Sequence, residues 1–267
     1  MSEFVAAQSA AQSPVAEPAG LARAGAPALA PGVVPLLEVR DLTTYYPVRR
    51  GLTQALTGKP RRQVHAVDGV SFTLVRGEMM ALVGESGCGK TSTLQTILGM
   101  IKATSGTVRL DGTDITAFSE RRMRPLRRTV QVIYQDPYES LDPRFRVRET
   151  VEEPMLVHGI GTSRAQRVPL IAAALEQAGL SPAEAYLERY PHELSGGQRQ
   201  RVAIAASLVL SPALLLADEP VSMLDVSVRA GVLSLLDSLR RNADMAILMI
   251  THDLSTAAHF ADRIAVM

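Results

Sequence analysis

The sequence predicts an α/β fold, a largely parallel sheet interrupted by a helical insertion. Three observations carry that expectation. The apolar run at 79–83 leads through a Gly-rich loop into a helical pattern, the strand–loop–helix order of an α/β unit. A second apolar run, 213–217, ends in Asp218-Glu219, as a buried parallel strand does when it delivers carboxylates to its C-terminal edge. Between about Asp136 and Glu193 the pattern turns helical.

The elements follow in chain order. Residues 1 to about 35 are dominated by Ala, Pro and Gly without an apolar period, which predicts a disordered tail; the folded domain is expected over 36–267. Leu37, Val39 and Leu42 predict a strand, 51–63 a basic hairpin loop, and 64–75 a further strand. A helix is expected from Lys90 to Ile101, then strands at 106–111 and 129–134. The insertion, about 136–195, contains helix candidates at 147–157, 163–179 and 183–189. Beyond it come a helix at 198–210, the 213–217 strand, a helix at 227–242, a strand at 245–250, a helix at 254–261 and a last strand from Asp262.

Composition sets bounds. A chain of 267 residues can bury a full core. The net charge of +1 gives no basic excess that argues for nucleic acid. The Arg-rich stretch 121–128 (RRMRPLRR) reads as a solvated basic face. One cysteine, Cys88, rules out an intrachain disulfide and fits a reducing compartment. The N-terminus lacks the basic and apolar regions of a signal peptide. The most apolar stretch, 202–217, is broken by Ser211-Pro212 and flanked by Arg201 and Asp218, so it is expected as helix, turn and strand. Any membrane role is then expected to come through a partner.

Two constellations carry chemistry. Gly84, Glu85, Ser86, Gly87, Cys88, Gly89, Lys90 and Thr91, followed by Ser92, fit G-x-x-x-x-G-K-[ST]. The glycines let the backbone approach a phosphate without Cβ clashes, and successive N–H groups at a helix start form an anion nest. Lys90 supplies a point charge for the β- and γ-phosphates, and Thr91 a hydroxyl for Mg²⁺. Asp218 is expected in the Mg²⁺ shell, and Glu219 is placed to polarise the attacking water.

The pentapeptide Leu194-Ser195-Gly196-Gly197-Gln198 adds a second anion site, since a Ser-Gly-Gly helix start offers free N–H groups, a hydroxyl and a positive dipole end. With this LSGGQ signature the chain resembles the ATP-binding cassette (ABC) family, over nearly everything after residue 36. The resemblance implies a P-loop NTPase (RecA-like) core with an antiparallel β subdomain and an inserted α-helical subdomain. Further elements match in order: Gln135 the Q-loop glutamine, Ser222-Met223-Leu224-Asp225 the D-loop (with Met223 where Ala is usual) and His252 the switch histidine.

By that resemblance Gln135 contacts Mg²⁺ or the water, and His252 bonds the γ-phosphate and holds Glu219. Ser195, Gly196, Gly197, Gln198 and Asp225 serve the ATP bound on an opposing cassette. An aromatic stacks on adenine; Tyr46 is the first choice and Tyr45 the second, since strand alternation puts them on opposite faces. The implied ligands are ATP and Mg²⁺. The implied partners are a second nucleotide-binding subunit, two transmembrane permease subunits and, indirectly, an extracytoplasmic substrate-binding protein, at the cytoplasmic face of a bacterial membrane. The segment 135–144 (QDPYESLDPR) resembles the dipeptide, oligopeptide and nickel importer subfamily. The alternatives are a nickel, glutathione or phosphonate system, an exporter, or a regulatory cassette protein. The family ordinarily continues past the final strand with a further segment, whereas this sequence stops at Met267, so by the resemblance its C-terminal end reads as truncated, with a natural short form, a fragment and a gene-model truncation as the alternatives.

Overall fold

A computed structural model describes residues 33–47, 63–136 and 140–267. The expected tail up to residue 32 and most of the 51–63 loop lie outside the described residues. Two sheets form the frame. In the antiparallel one, β1 (Leu37–Pro47) lies between β2 (Gln63–Leu74) and β4 (Ser105–Leu110), and the short β5 (Thr113–Asp114) pairs with β4. The other is parallel, in the order β6 (Val130–Ile133), β7 (Leu214–Asp218), β8 (Ala246–Thr251), β3 (Met79–Val83), β9 (Arg263–Val266).

The continuous apolar runs follow from burial on both faces. Along β3, Met79, Ala81 and Val83 enter one core while Met80 and Leu82 enter another. In β8, Ile247 and Met249 part from Leu248 and Ile250 in the same way, as a two-residue side-chain period requires. The first core is closed by α3 (Val147–His158), α4 (Arg164–Gln177), α5 (Gly196–Leu208) and α6 (Val226–Ala243), the second by α1 (Lys90–Ile97) and the antiparallel sheet.

Some expectations are corrected. The helix expected at 183–189 is a single 3-10 turn, Ala183–Ala185. The Leu187 and Arg189 carbonyls accept from the N–H groups of Arg148 and Val147 at the start of α3, so this segment serves another helix's open end. α1 stops at Ile97, not Ile101: Gly99 takes φ 67°, and the N–H groups of Met100 and Ile101 turn back to the Gln95 carbonyl. The Arg-rich stretch holds a helix, α2 (Glu120–Leu126), which buries Met123 and pairs Glu120 with Arg127. Neither α2 nor β5 was expected. A final helix, α7 (Leu254–Phe260), precedes β9.

In the SLDPR segment, Leu141 is buried in the first core. Arg144 donates to the Asp142 carboxylate from both its backbone and its guanidinium, which holds that carboxyl down at about 2.

Candidate active site

Parallel register brings the chemistry to one edge. Val83 pairs with Thr251, and Asp218 with Ile250, so the loops after β3, β7 and β8 emerge together. β6 ends at Ile133, opposite Ala217, and passes Gln135 to the same edge, where its side chain is exposed. Three loops distant in sequence thus deliver Lys90, Asp218-Glu219 and His252 to one place.

The loop after β3 is shaped by its glycines. Gly89 takes φ 105° as the N-cap of α1, and a Cβ there would lie 1.9 Å from the Ala66 carbonyl oxygen. No side chain fits that approach. Lys90 is buried, and its ammonium donates to the carbonyls of Gly84 and Glu85, both at 2.8 Å. Glu85, Ser86 and Gly87 stand exposed, and the Cys88 sulfur lies 3.7 Å from Lys90 Nζ.

Thr91 donates to the Asp218 carboxylate at 3.1 Å. Burial pushes the Asp218 pKa up, and Glu219 adds to that, while the Thr91 bond and the Lys90 charge oppose it. A carboxylate and a hydroxyl within bonding distance at an anion nest suit Mg²⁺, which takes one or two protein oxygens and completes its octahedron with phosphate and water. Among the described residues no group of three or more His, Cys, Asp and Glu side chains is placed to hold a metal ion.

Glu219 sits at φ 46°, uncommon for a residue with a side chain. Its N–H donates to Ile250 O at 2.9 Å, and its carbonyl accepts from the Ser222 N–H and hydroxyl, at 3.2 and 3.1 Å. These bonds turn the carboxylate toward His252, whose Nδ1 lies 3.2 Å from Glu219 Oε2. The histidine side chain remains 60% exposed and the glutamate only 17%.

The two tyrosines divide. Tyr46 donates to Ser92 Oγ at 3.3 Å, which brings its ring beside the start of α1. Tyr45 stacks on His65 with ring centroids 3.8 Å apart and donates to Asp68 at 2.8 Å.

Ser195 begins α5 in a reciprocal cap: its hydroxyl accepts from Gln198 N–H, and Gln198 Oε1 accepts from Ser195 N–H. Gly197 is buried because a Cβ would meet Val228 of α6 at 2.4 Å, whereas Ser195 and Asp225 are exposed. Among the described residues no hydrogen bond joins 195–198 or Asp225 to Lys90, Thr91, Asp218 or Glu219. The structure therefore brings together Tyr46, the phosphate loop, Asp218, Glu219 and His252; among the described residues the signature and Asp225 share no hydrogen bond with that group. Sequence reasoning missed Arg229, which shares a cavity with Glu219 and His252; no motif spacing points to it.

The comparisons with known proteins bear on the family and the fold. A family model described as ABC transporter matches residues 67–222. The oligopeptide transport ATP-binding protein AppF of Bacillus subtilis (strain 168) is 44% identical over 233 residues, 87% of this chain and 69% of that protein. The glutathione import ATP-binding protein GsiA of Salmonella paratyphi A (strain ATCC 9150 / SARB42) is 45% identical over 87% of this chain, which spans only 36% of that longer relative. Among solved structures, the dimeric post-hydrolysis state of the ATP-binding cassette MJ0796 bound to ADP and Pi superposes with a TM-score of 0.74 at 28% identity, over 86% of this chain and 94% of that one. The cbiO1 protein of Clostridium perfringens, part of the cbiONQ transporter complex, gives 0.73 at 26% identity, over 87% and 84%. A phosphate loop, an Asp-Glu pair and a histidine on one sheet edge, within a fold shared with these cassettes, lead to one conclusion: the chain belongs to the ABC transporter family, as an ATPase cassette.

Proposed function

We propose that this chain is the ATP-binding and ATP-hydrolysing subunit that energises a membrane importer of peptides. The observation that carries the hydrolytic part is the contact between Glu219 and His252 at the strand edge that also holds Lys90 and Asp218. Lys90 and the N–H groups at the start of α1 hold the β- and γ-phosphates. Thr91, Asp218 and Gln135 hold Mg²⁺, which when bound neutralises charge on the phosphates. Tyr46 stacks on the adenine. Glu219 accepts a proton from the attacking water, and His252 fixes that carboxylate and reaches the γ-phosphate. The product is ADP and inorganic phosphate.

The signature and Asp225 act on ATP held by a second cassette. The exposure of Ser195 and Asp225 supports this, as do the exposed apolar side chains Met223, Val226 and Leu254, on or next to the loops that carry Glu219 and His252. Among the described residues no helix is long and apolar enough to cross a membrane; the passage itself is assigned to two permease partners as part of the proposal. A groove of about 390 Å³ between the end of α1, β6 and α3, lined by Leu98, Met100, Tyr134, Pro154 and Val157, supports a cytoplasmic permease segment as its occupant. Tyr134 precedes Gln135, so an occupant of the groove is linked directly to the Mg²⁺ site.

The peptide assignment rests on the SLDPR segment and on the likeness to AppF. Likeness to GsiA favours glutathione, itself a short peptide, as a second reading. The test is co-purification followed by uptake in vesicles. Recovery of two permeases and a second cassette, with ATP-dependent peptide uptake, is expected. Recovery of the chain with no permease, or of a complex that moves only a non-peptide cargo, overturns the assignment.

A further inference from the structure

We propose that Arg229 is a positioning residue for hydrolysis, clamping the 219–225 loop so that Glu219 faces the attacking water. Its guanidinium Nε donates to Leu224 O at 2.7 Å and its Nη2 to Ser222 O at 3.2 Å. Its backbone N–H donates to Asp225 O at 2.9 Å. The guanidinium thus gathers two carbonyls of the preceding loop, while the backbone bond is the ordinary first-turn bond of α6 to its N-cap. Among the described residues Arg229 makes no ion pair, so its fork is given wholly to backbone oxygens.

The clamp reaches the catalytic carboxylate in two steps. Ser222, whose carbonyl Arg229 holds, donates twice to the Glu219 carbonyl. Glu219 sits at φ 46°, a conformation that persists only where its surroundings over-determine it. Removing the clamp frees Ser222, then Glu219, and Glu219 Oε2 loses its register with His252. Asp225 is the N-cap of α6, and its side chain makes no capping bond. A lysine cannot replace the fork, because a single ammonium lacks the fixed spacing that meets both carbonyls.

This inference rests on the reading of Glu219 as the base, and the experiment separates the two. Arg229→Gln, Arg229→Lys and Glu219→Gln are assayed in the assembled transporter for kcat, KM for ATP and melting temperature. Arg229→Gln is expected to lose about tenfold or more in kcat, since small misplacements of a catalytic group cost up to about 10²-fold. KM and melting temperature stay near those of wild type, and Arg229→Lys, which keeps the charge and the stem, fails to restore kcat. Wild-type kcat in Arg229→Gln or Arg229→Lys, alongside a slow Glu219→Gln, overturns the clamp and leaves the base intact. A fall in kcat matched by a fall in melting temperature in both Arg229 variants also overturns it, since that is a purely structural role. Near-normal turnover in Glu219→Gln removes the base assignment and the clamp's purpose with it.

Discussion

Replacing Glu219 with glutamine removes one charge and one basic oxygen while keeping the side chain's size. The structure predicts that almost nothing else changes. The unusual φ of 46° costs glutamine what it costs glutamate. The bonds that hold the residue run from its backbone to Ile250 and Ser222, and both survive. His252 Nδ1 can still donate to a side-chain oxygen. Loss of the charge also relieves the buried Asp218, whose pKa Glu219 helps to raise. Stability is therefore expected to hold, and ATP to bind at least as tightly because one anion near the phosphates is gone. Turnover should fall about 10²- to 10⁴-fold, an added barrier of about 2.7–5.4 kcal/mol at about 1.36 kcal/mol per decade. The assay is steady-state phosphate release from the assembled complex, with nucleotide binding measured in parallel, because in the proposed function each site is completed by a second cassette. A kcat within about threefold of wild type would refute the general-base reasoning.

Three further predictions test the surroundings of that carboxylate. Gly89→Ala places a Cβ on the Ala66 carbonyl at a φ of 105°; strain of about 1–3 kcal/mol should lower the melting point by about 2–12 °C and abolish ATP binding, and unchanged values for both would sink the argument. Asp218 has a raised pKa, so the folded state holds its proton more tightly than the unfolded chain and stability falls as pH rises from the ordinary carboxylate range through the raised value. Asp218→Asn should therefore melt higher than wild type at neutral pH without nucleotide, yet lose stabilisation by Mg-ATP; a lower nucleotide-free melting point contradicts the burial account. Complete alkylation of Cys88, whose sulfur lies 3.7 Å from the Lys90 ammonium, should block ATP binding by filling the phosphate loop, and normal binding by the alkylated protein would show that the loop accommodates the adduct.

The parts legible in the sequence are those whose chemistry is contiguous. The phosphate loop needs its glycines and Lys90 within eight residues, so its spacing is visible without a structure. The same holds for a buried strand ending in Asp218-Glu219, and for Ser195 starting a helix that Gln198 caps reciprocally. Strands buried on both faces left runs long enough to place β3, β7 and β8 within a residue or so. Helices fared worse where a neighbour decided the outcome. Residues 187–189 carry helical composition, but their carbonyls are used by α3.

The sequence by itself therefore determined the catalytic vocabulary of this protein: a nucleotide loop, an aspartate expected to hold a metal, a candidate base and a signature helix. Tertiary structure alone decided how these meet. It placed His252 against Glu219, directed Tyr46 and not Tyr45 toward Ser92, and set Arg229 on the loop carbonyls. The physical reason is that the His252 contact depends on the parallel register of β7 and β8, the Tyr46 contact on the packing of the antiparallel sheet against α1, and the Arg229 contacts on the backbone direction of the loop it holds. The first two are settled by packing among segments far apart in the chain and the third by carbonyl directions in one loop, and no residue pattern encodes either.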